Sequence, residues 1–293
     1  GAHPGCPLDG GSIAAAGQRG DLATLDRLLS LGLDIDGSDS QGATALLHAA
    51  GTGQLELCKA LVERGADPAR MSAKGVTALA AAILAGRTHI VEWLLARGVQ
   101  RESVLLGRMT ALGLAAACLR LPLIEILLAA GADPEGRAAP DSPLQAALAQ
   151  VKDVSRPVMA IEAVMSRLIE AGANPDLPDV DGRAALHRMF GAGRTEPPVR
   201  DEARLQPIVL ALLLGGANPN LVDKEGRTAL HWACRHGLVQ CGGTLLELGA
   251  DPRVSDNARQ LPIDLLATRH RIHLGPALRQ AAEAWNRQRA PHR

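Results

Sequence analysis

Residues 228–252 read TALHWACRHGLVQCGGTLLELGADP. Two short strings bracket the stretch: Thr-Ala-Leu at Thr228 and Gly-Ala-Asp-Pro at Gly249. Both recur. Gly-Ala-Asp/Asn-Pro returns at Gly65, Gly131, Gly172 and Gly216, with looser copies at Gly32 (GLDID) and Gly98 (GVQRE). From Gly32 onward the intervals are 33, 33, 33, 41, 44 and 33 residues. The other marker keeps the same phase: Thr44-Ala-Leu, Thr77-Ala-Leu, Thr110-Ala-Leu, Ser142-Pro-Leu, Ala184-Ala-Leu and Leu261-Pro-Ile. Two markers sharing one phase define a repeat architecture.

The second copy shows how a unit is built. Thr44 opens a short helix, TALLHAAGTG, by offering its hydroxyl to exposed backbone N–H groups, and Gly53 ends it. A second helix, LELCKALVERG, places Leu55, Leu57, Cys58, Leu61 and Val62 on an apolar face. Gly65 supplies the positive φ that stops it, and Asp67-Pro68 leads into an extended finger. Two helices of roughly ten residues bury no core alone, so each unit must stack on its neighbours.

These markers and their phase resemble the ankyrin repeat family from about Ser12 to Ala267, nearly the whole chain. The resemblance implies an all-α ankyrin repeat solenoid of stacked helix-turn-helix units with β-hairpin-like fingers. Eight units are expected. Residues 1–36 form an N-terminal capping repeat. Six repeats follow at 37–69, 70–102, 103–135, 136–176, 177–220 and 221–253. Residues 254–293 form a C-terminal capping repeat ending in a basic helix. In the family, fingers and first helices form a concave face that binds partner proteins. The resemblance thus implies a non-catalytic scaffold for another protein, with an architectural module inside a longer protein as the alternative.

Composition sets limits. Lys plus Arg and Asp plus Glu each total 31, and this zero net charge argues against a general nucleic-acid binder. Aromatics are 1%, too few for base-stacking platforms. The longest apolar stretch, Pro207 to Ala217, falls short of the ~20 residues that span a bilayer. The partners expected are therefore protein, with neither nucleic acid nor membrane, and the chain is expected to be a monomer. Five dispersed cysteines imply no disulfide framework and point to a reducing, cytoplasmic setting, with secretion into a host cell as a variant. Only four of the 31 basic residues are Lys, a bias associated with GC-rich bacterial genomes.

Positions that agree between copies build the scaffold, and positions that disagree are open to binding. The fourth copy departs most: Leu105 replaces the finger's turn Asp, Leu106 a charged tip residue, and Leu114 fills the outward slot held elsewhere by His48 and Trp232. Leu84 falls where Arg235 falls in the seventh copy. These leucines predict an exposed apolar patch. Alanine at Leu105, Leu106 and Leu114 is expected to spare the fold and abolish partner capture. The expected contact set is Leu84, Leu105, Leu106, Leu114, Arg188 and Trp232.

The longer intervals hold 8 and 11 extra residues, around Gln150–Val158 and Gly191–Ala203, between paired helices. Such loops either carry function or mark drift in a tolerant turn. His231, Cys234, His236 and Cys241 have zinc-ligand chemistry, but His231 belongs to the helix-start motif and faces its own finger. A Cys-His nucleophile would need a third orienting group, and none is evident. No phosphate-binding glycine motif occurs. No catalytic, cofactor or metal residue is assigned. The segment from Thr268 to Arg293 carries six Arg and three His against Glu283 and reads as a solvated capping helix.

Overall fold

The computed structural model describes residues 10–100, 105, 109–179, 181–191 and 201–289. They form fifteen α-helices and two 3-10 turns, with no sheet among the described residues. Two compact units divide the chain, Gly1–Ala146 and Ala147–Arg293.

In the first unit the helices come in pairs: α1 (Gly10–Arg19) with α2 (Leu22–Ser30), and α3 (Ala45–Thr52) with α4 (Leu55–Glu63). Next come α5 (Ala78–Ala85) with α6 (Thr88–Ala96), then α7 (Ala111–Ala117) with α8 (Leu121–Ala129). First helices stack on first helices, α1 on α3 on α5 on α7, and second helices likewise, α4 on α6 on α8. Thr44, Thr77 and Thr110 cap α3, α5 and α7 through their hydroxyls, as the sequence predicts. Small residues let the first helices approach closely: a Cβ on Gly17 would lie 2.3 Å from that of Ala45.

The second unit begins within α9 (Pro143–Leu148), which runs into a 3-10 turn at Ala149–Lys152. There follow α10 (Val158–Glu170), α11 (Ala185–Met189), α12 (Glu202–Leu214), α13 (Ala229–His236) and α14 (Val239–Glu247). A second 3-10 turn, Pro262–Leu265, precedes α15 (Thr268–Arg289), which covers α14 with Leu274 and Leu278.

The fingers are tight loops closed by backbone bonds rather than strands. Asp39 N–H donates to the Ala43 carbonyl, and Ser72, Asp179, Asp223 and Asp256 repeat that bond with the residue four ahead. In the four Asp fingers one carboxylate oxygen also accepts from the backbone N–H groups two and four residues ahead.

The inserted residues are only partly loop. Elsewhere the second helix starts ten residues before its terminal glycine, which in these two copies would be Glu162 and Gln206. Instead α10 and α12 each run 13 residues against 9 in the other copies, beginning a turn early. Pro207 falls at the second position of the shorter helix, as Pro122 does in α8, but the added turn places it inside α12, where it forgoes one backbone hydrogen bond.

The added turn of α12 ties three copies together. The guanidinium of Arg204, only 9% exposed, donates to the carbonyls of Val151 (2.9 Å), Asp153 (2.6 Å) and Arg156 (2.7 Å) in the preceding insertion. Two residues earlier, the Glu202 carboxylate accepts from the N–H groups of Val239, Gln240 and Cys241 at the start of α14. A carboxylate at a helix N-terminus meets both its free donors and its positive dipole end.

Two non-glycine residues take left-handed backbone, Leu119 and Arg259, and the first stands where other copies have glycine. Gly53, Gly86 and Gly237 end α3, α5 and α13 in the left-handed region, and the fourth copy puts Leu119 there with φ 55°. A left-handed non-glycine residue costs ~1–2 kcal/mol. Leu119→Gly should therefore raise stability by about 1 kcal/mol after the added chain entropy of glycine is subtracted. An unchanged or lower urea midpoint would contradict this.

Candidate functional site

The finger acid and the fourth residue of the following first helix are nine positions apart, and they act as a pair. Asp39 Oδ2 lies 2.9 Å from His48 Nε2. Asp179 Oδ2 accepts from Arg188 at 3.5 Å, and Asp223 Oδ2 accepts from the Trp232 indole N–H at 2.8 Å. One carboxylate thus shapes its turn with one oxygen and holds the helix slot with the other. The fourth copy replaces both members: Leu105 stands for the acid and Leu114 for its partner.

This exchange explains the fate of the expected apolar patch. Leu105 and Leu114 are 1% and 3% exposed, so the finger turns its leucine inward and no exposed patch forms from them. The Leu105 N–H still donates to the Met109 carbonyl at 2.7 Å, which keeps the turn closed without a carboxylate. Alanine at Leu105 and Leu114 empties buried volume, at ~2–5 kcal/mol each, so the expectation that these changes spare the fold is corrected. Leu106 lies outside the described residues.

Trp232 is also buried, at 2%, rather than presented outward. The Arg227 and Arg235 guanidiniums approach its ring at 5.1 and 5.6 Å, and the His236 ring stacks at 6.1 Å. Arg227 in turn bonds Asp256 of the next finger at 3.1 Å. Trp232 is thus the centre of a packed cluster and not an exposed anchor. Of the expected contact set, Leu84 is exposed at 42%, and Arg188 keeps 37% of its side chain accessible. They lie in different compact units, Leu84 in the first and Arg188 in the second. Arg235, one turn beyond the Trp232 slot, is exposed as well.

The histidines and cysteines have structural places. His231 Nδ1 accepts from the Thr228 N–H at 3.1 Å, while Nε2 faces the Gln260 carbonyl of the next finger at 3.2 Å. His187 repeats this with the Ala184 N–H and the Arg227 carbonyl. It satisfies the Ala184 N–H, but the bond that a cap hydroxyl would accept from the helix is missing in this copy. Burial pushes both rings below the ordinary imidazole value, partly opposed by facing carbonyls and by Asp223 or Asp256. They are held neutral, with Nδ1 as acceptor. Burial also pushes the Cys234 and Cys241 thiols up to about 12. No group of three or more metal-ligating side chains is gathered among the described residues.

A pH dependence follows. Unfolded imidazoles bind protons below about 6.5, while these folded rings do so only at lower pH. Their contribution is complete above that value and is lost as pH falls through it toward the folded values. The urea midpoint should drop between pH 7 and 5. His187→Asn with His231→Asn should flatten that drop, and an unaltered slope would refute the assignment.

No helix among the described residues is long and apolar enough to cross a membrane. No curated protein matches the chain. A family model described as ankyrin repeats (3 copies) matches residues 12–103, 158–256 and 199–271, more than two thirds of the sequence. The unmatched stretch between the first two spans holds Leu105, Leu114 and Leu119, where the scaffold pattern is most altered. The tandem helix pairs, the finger geometry and the match agree: the chain belongs to the ankyrin repeat family, whose repeats are protein-interaction modules.

Proposed function

We propose that this chain is a non-catalytic scaffold that binds another protein through its finger and inner-helix side chains. The observation that carries this reading is the seventh residue after each helix cap. There the chain places glycine or alanine in most copies, but exposed Leu84 in the third and exposed Arg235 in the seventh. Agreement in the backbone-forming positions with divergence in the solvent-facing ones is what a recognition surface requires. Arg188, still about a third accessible while bonded to Asp179, adds a second cation in the second unit. Binding on preformed helices and fingers loses little ordering entropy.

In a bacterium this reading suits an effector acting on a host protein, or an inhibitor or immunity partner of an enzyme in a reducing compartment. Gene neighbours separate the two. The direct test is capture from source or host extract by the wild-type chain and by a Leu84→Asp, Arg188→Glu, Arg235→Glu variant. Arg188→Glu also faces Asp179, so the urea midpoint is measured with helicity, and Leu84→Asp with Arg235→Glu, which leaves that pair intact, serves as the second variant. A protein retained by the wild type and lost by the variant supports the reading. Equal retention of every captured protein would refute it.

A further inference from the structure

The outward slots of the second helices carry a separate signal. Six residues before the glycine that ends each second helix, six copies carry Asp26, Lys59, Glu92, Glu125, Ser166 or Gly243. Two residues before that glycine, the same copies carry Ser30, Glu63, Ala96, Ala129, Glu170 or Glu247. The remaining copy, ending at Gly216, has leucine at both places, Leu210 and Leu214. Spaced i and i+4, they share one face of α12, and they are 40% and 73% exposed.

These leucines border a groove of about 360 Å³ between α10 and α12, with Ile169 and Gly215 in its walls. Gly215 is small for a reason: a Cβ there would meet Ile169 Cδ1 at 2.9 Å. On the far side of α12, the Gly243 position of α14 opens onto empty space. Carboxylates flank the apolar strip on both sides. Glu162 and Glu170 stand on α10, two turns or ~12 Å apart, and Glu247 stands on α14. None of the three has an ion-pair or hydrogen-bond partner among the described residues, while Arg167 between the first two is itself engaged.

We propose that this face is a docking groove for a cationic amphipathic helix of a partner protein. Large apolar side chains one helical turn apart seat against Leu210, Leu214 and Ile169. Lys or Arg on the flanks of that helix meet Glu162, Glu170 and Glu247. Charge selects this occupant: an anionic membrane surface would be repelled by the same three carboxylates. The groove lies on second helices, so it does not depend on the finger-side reading above.

The probe is a synthetic helical peptide of about 18 residues, roughly five turns, with a leucine stripe flanked by lysines. A second peptide carries glutamate in place of every lysine. Anisotropy with the full chain should show micromolar binding of the lysine peptide and none of the glutamate peptide. Leu210→Asn with Leu214→Asn should weaken binding at least about tenfold, and Glu162→Gln with Glu170→Gln about threefold or more. The Leu84→Asp, Arg188→Glu, Arg235→Glu variant should bind as the wild type does. Leu214→Asn alone, at the more exposed position, guards against loss of fold in the double variant and should still weaken binding measurably. Three results would overturn the proposal: equal binding of both peptides, wild-type affinity in the leucine variants, or a dimer that Leu214→Asn converts to monomer. The last would make a second copy the occupant.

Discussion

Trp232→Ala is expected to lower folding stability by about 3–5 kcal/mol, the range for emptying a large buried aromatic site. The indole is almost wholly enclosed, and its removal also strips Asp223 of a donor and two guanidiniums of a ring to lie against. Trp232→Phe separates these effects. It keeps most of the packing and leaves the carboxylate oxygen without its N–H, at ~1–3 kcal/mol. The measurement is the urea midpoint with helicity as the signal. An alanine variant within ~0.5 kcal/mol of the wild type would mean that the ring is a surface group. The expectation of an exposed anchor would then be restored.

Arg204→Ala should cost about 3 kcal/mol. Each hydrogen bond from a charged donor contributes ~1.5–3 kcal/mol, but the three carbonyls regain most of that from water once the loop loosens. The loss should be local as well as global. Amide exchange in residues 149–157 should accelerate strongly, while α3 to α6 in the first unit stay protected. Arg204→Lys should recover less than half of the lost stability, since a single ammonium cannot reach three carbonyls with the spread of a planar fork. Unchanged exchange in that loop would show that Arg204 does not hold it.

Most of the fold was legible because the signals are local and repeated. A threonine before an apolar helix, a glycine after it and a constant phase between them specify each helix pair without reference to distant residues. Legibility ended where two positions had to be read together. Leu105 looked like an exposed oddity beside aspartates, and Leu114 looked like another. Read together, nine residues apart, they are two apolar residues at the places of a polar pair, and both are buried. Trp232 shows the same: alone it reads as an outward aromatic, and only beside Asp223, nine residues earlier, as a buried hydrogen-bond donor.

The repeat spacing puts the insertions between helices but does not disclose their share of helix. The one-turn extension of α12 rests on Glu202 and Arg204 finding partners in two other copies, which spacing alone does not disclose. Leu210 and Leu214 sat within the stretch from Pro207 to Ala217, whose overall hydrophobicity hid which leucines face outward. Counting back from the terminal glycine would have found them.

The linked finger and helix residues also constrain how such a chain can change over generations. Restoring aspartate at Leu105 alone would thrust a charge toward a greasy neighbour, and altering Leu114 alone to histidine would strand a polar ring. Other copies hold milder combinations at the same two positions, Ser72 with Ala81 and Asp256 with Leu265, so the pair need not be exchanged in a single step.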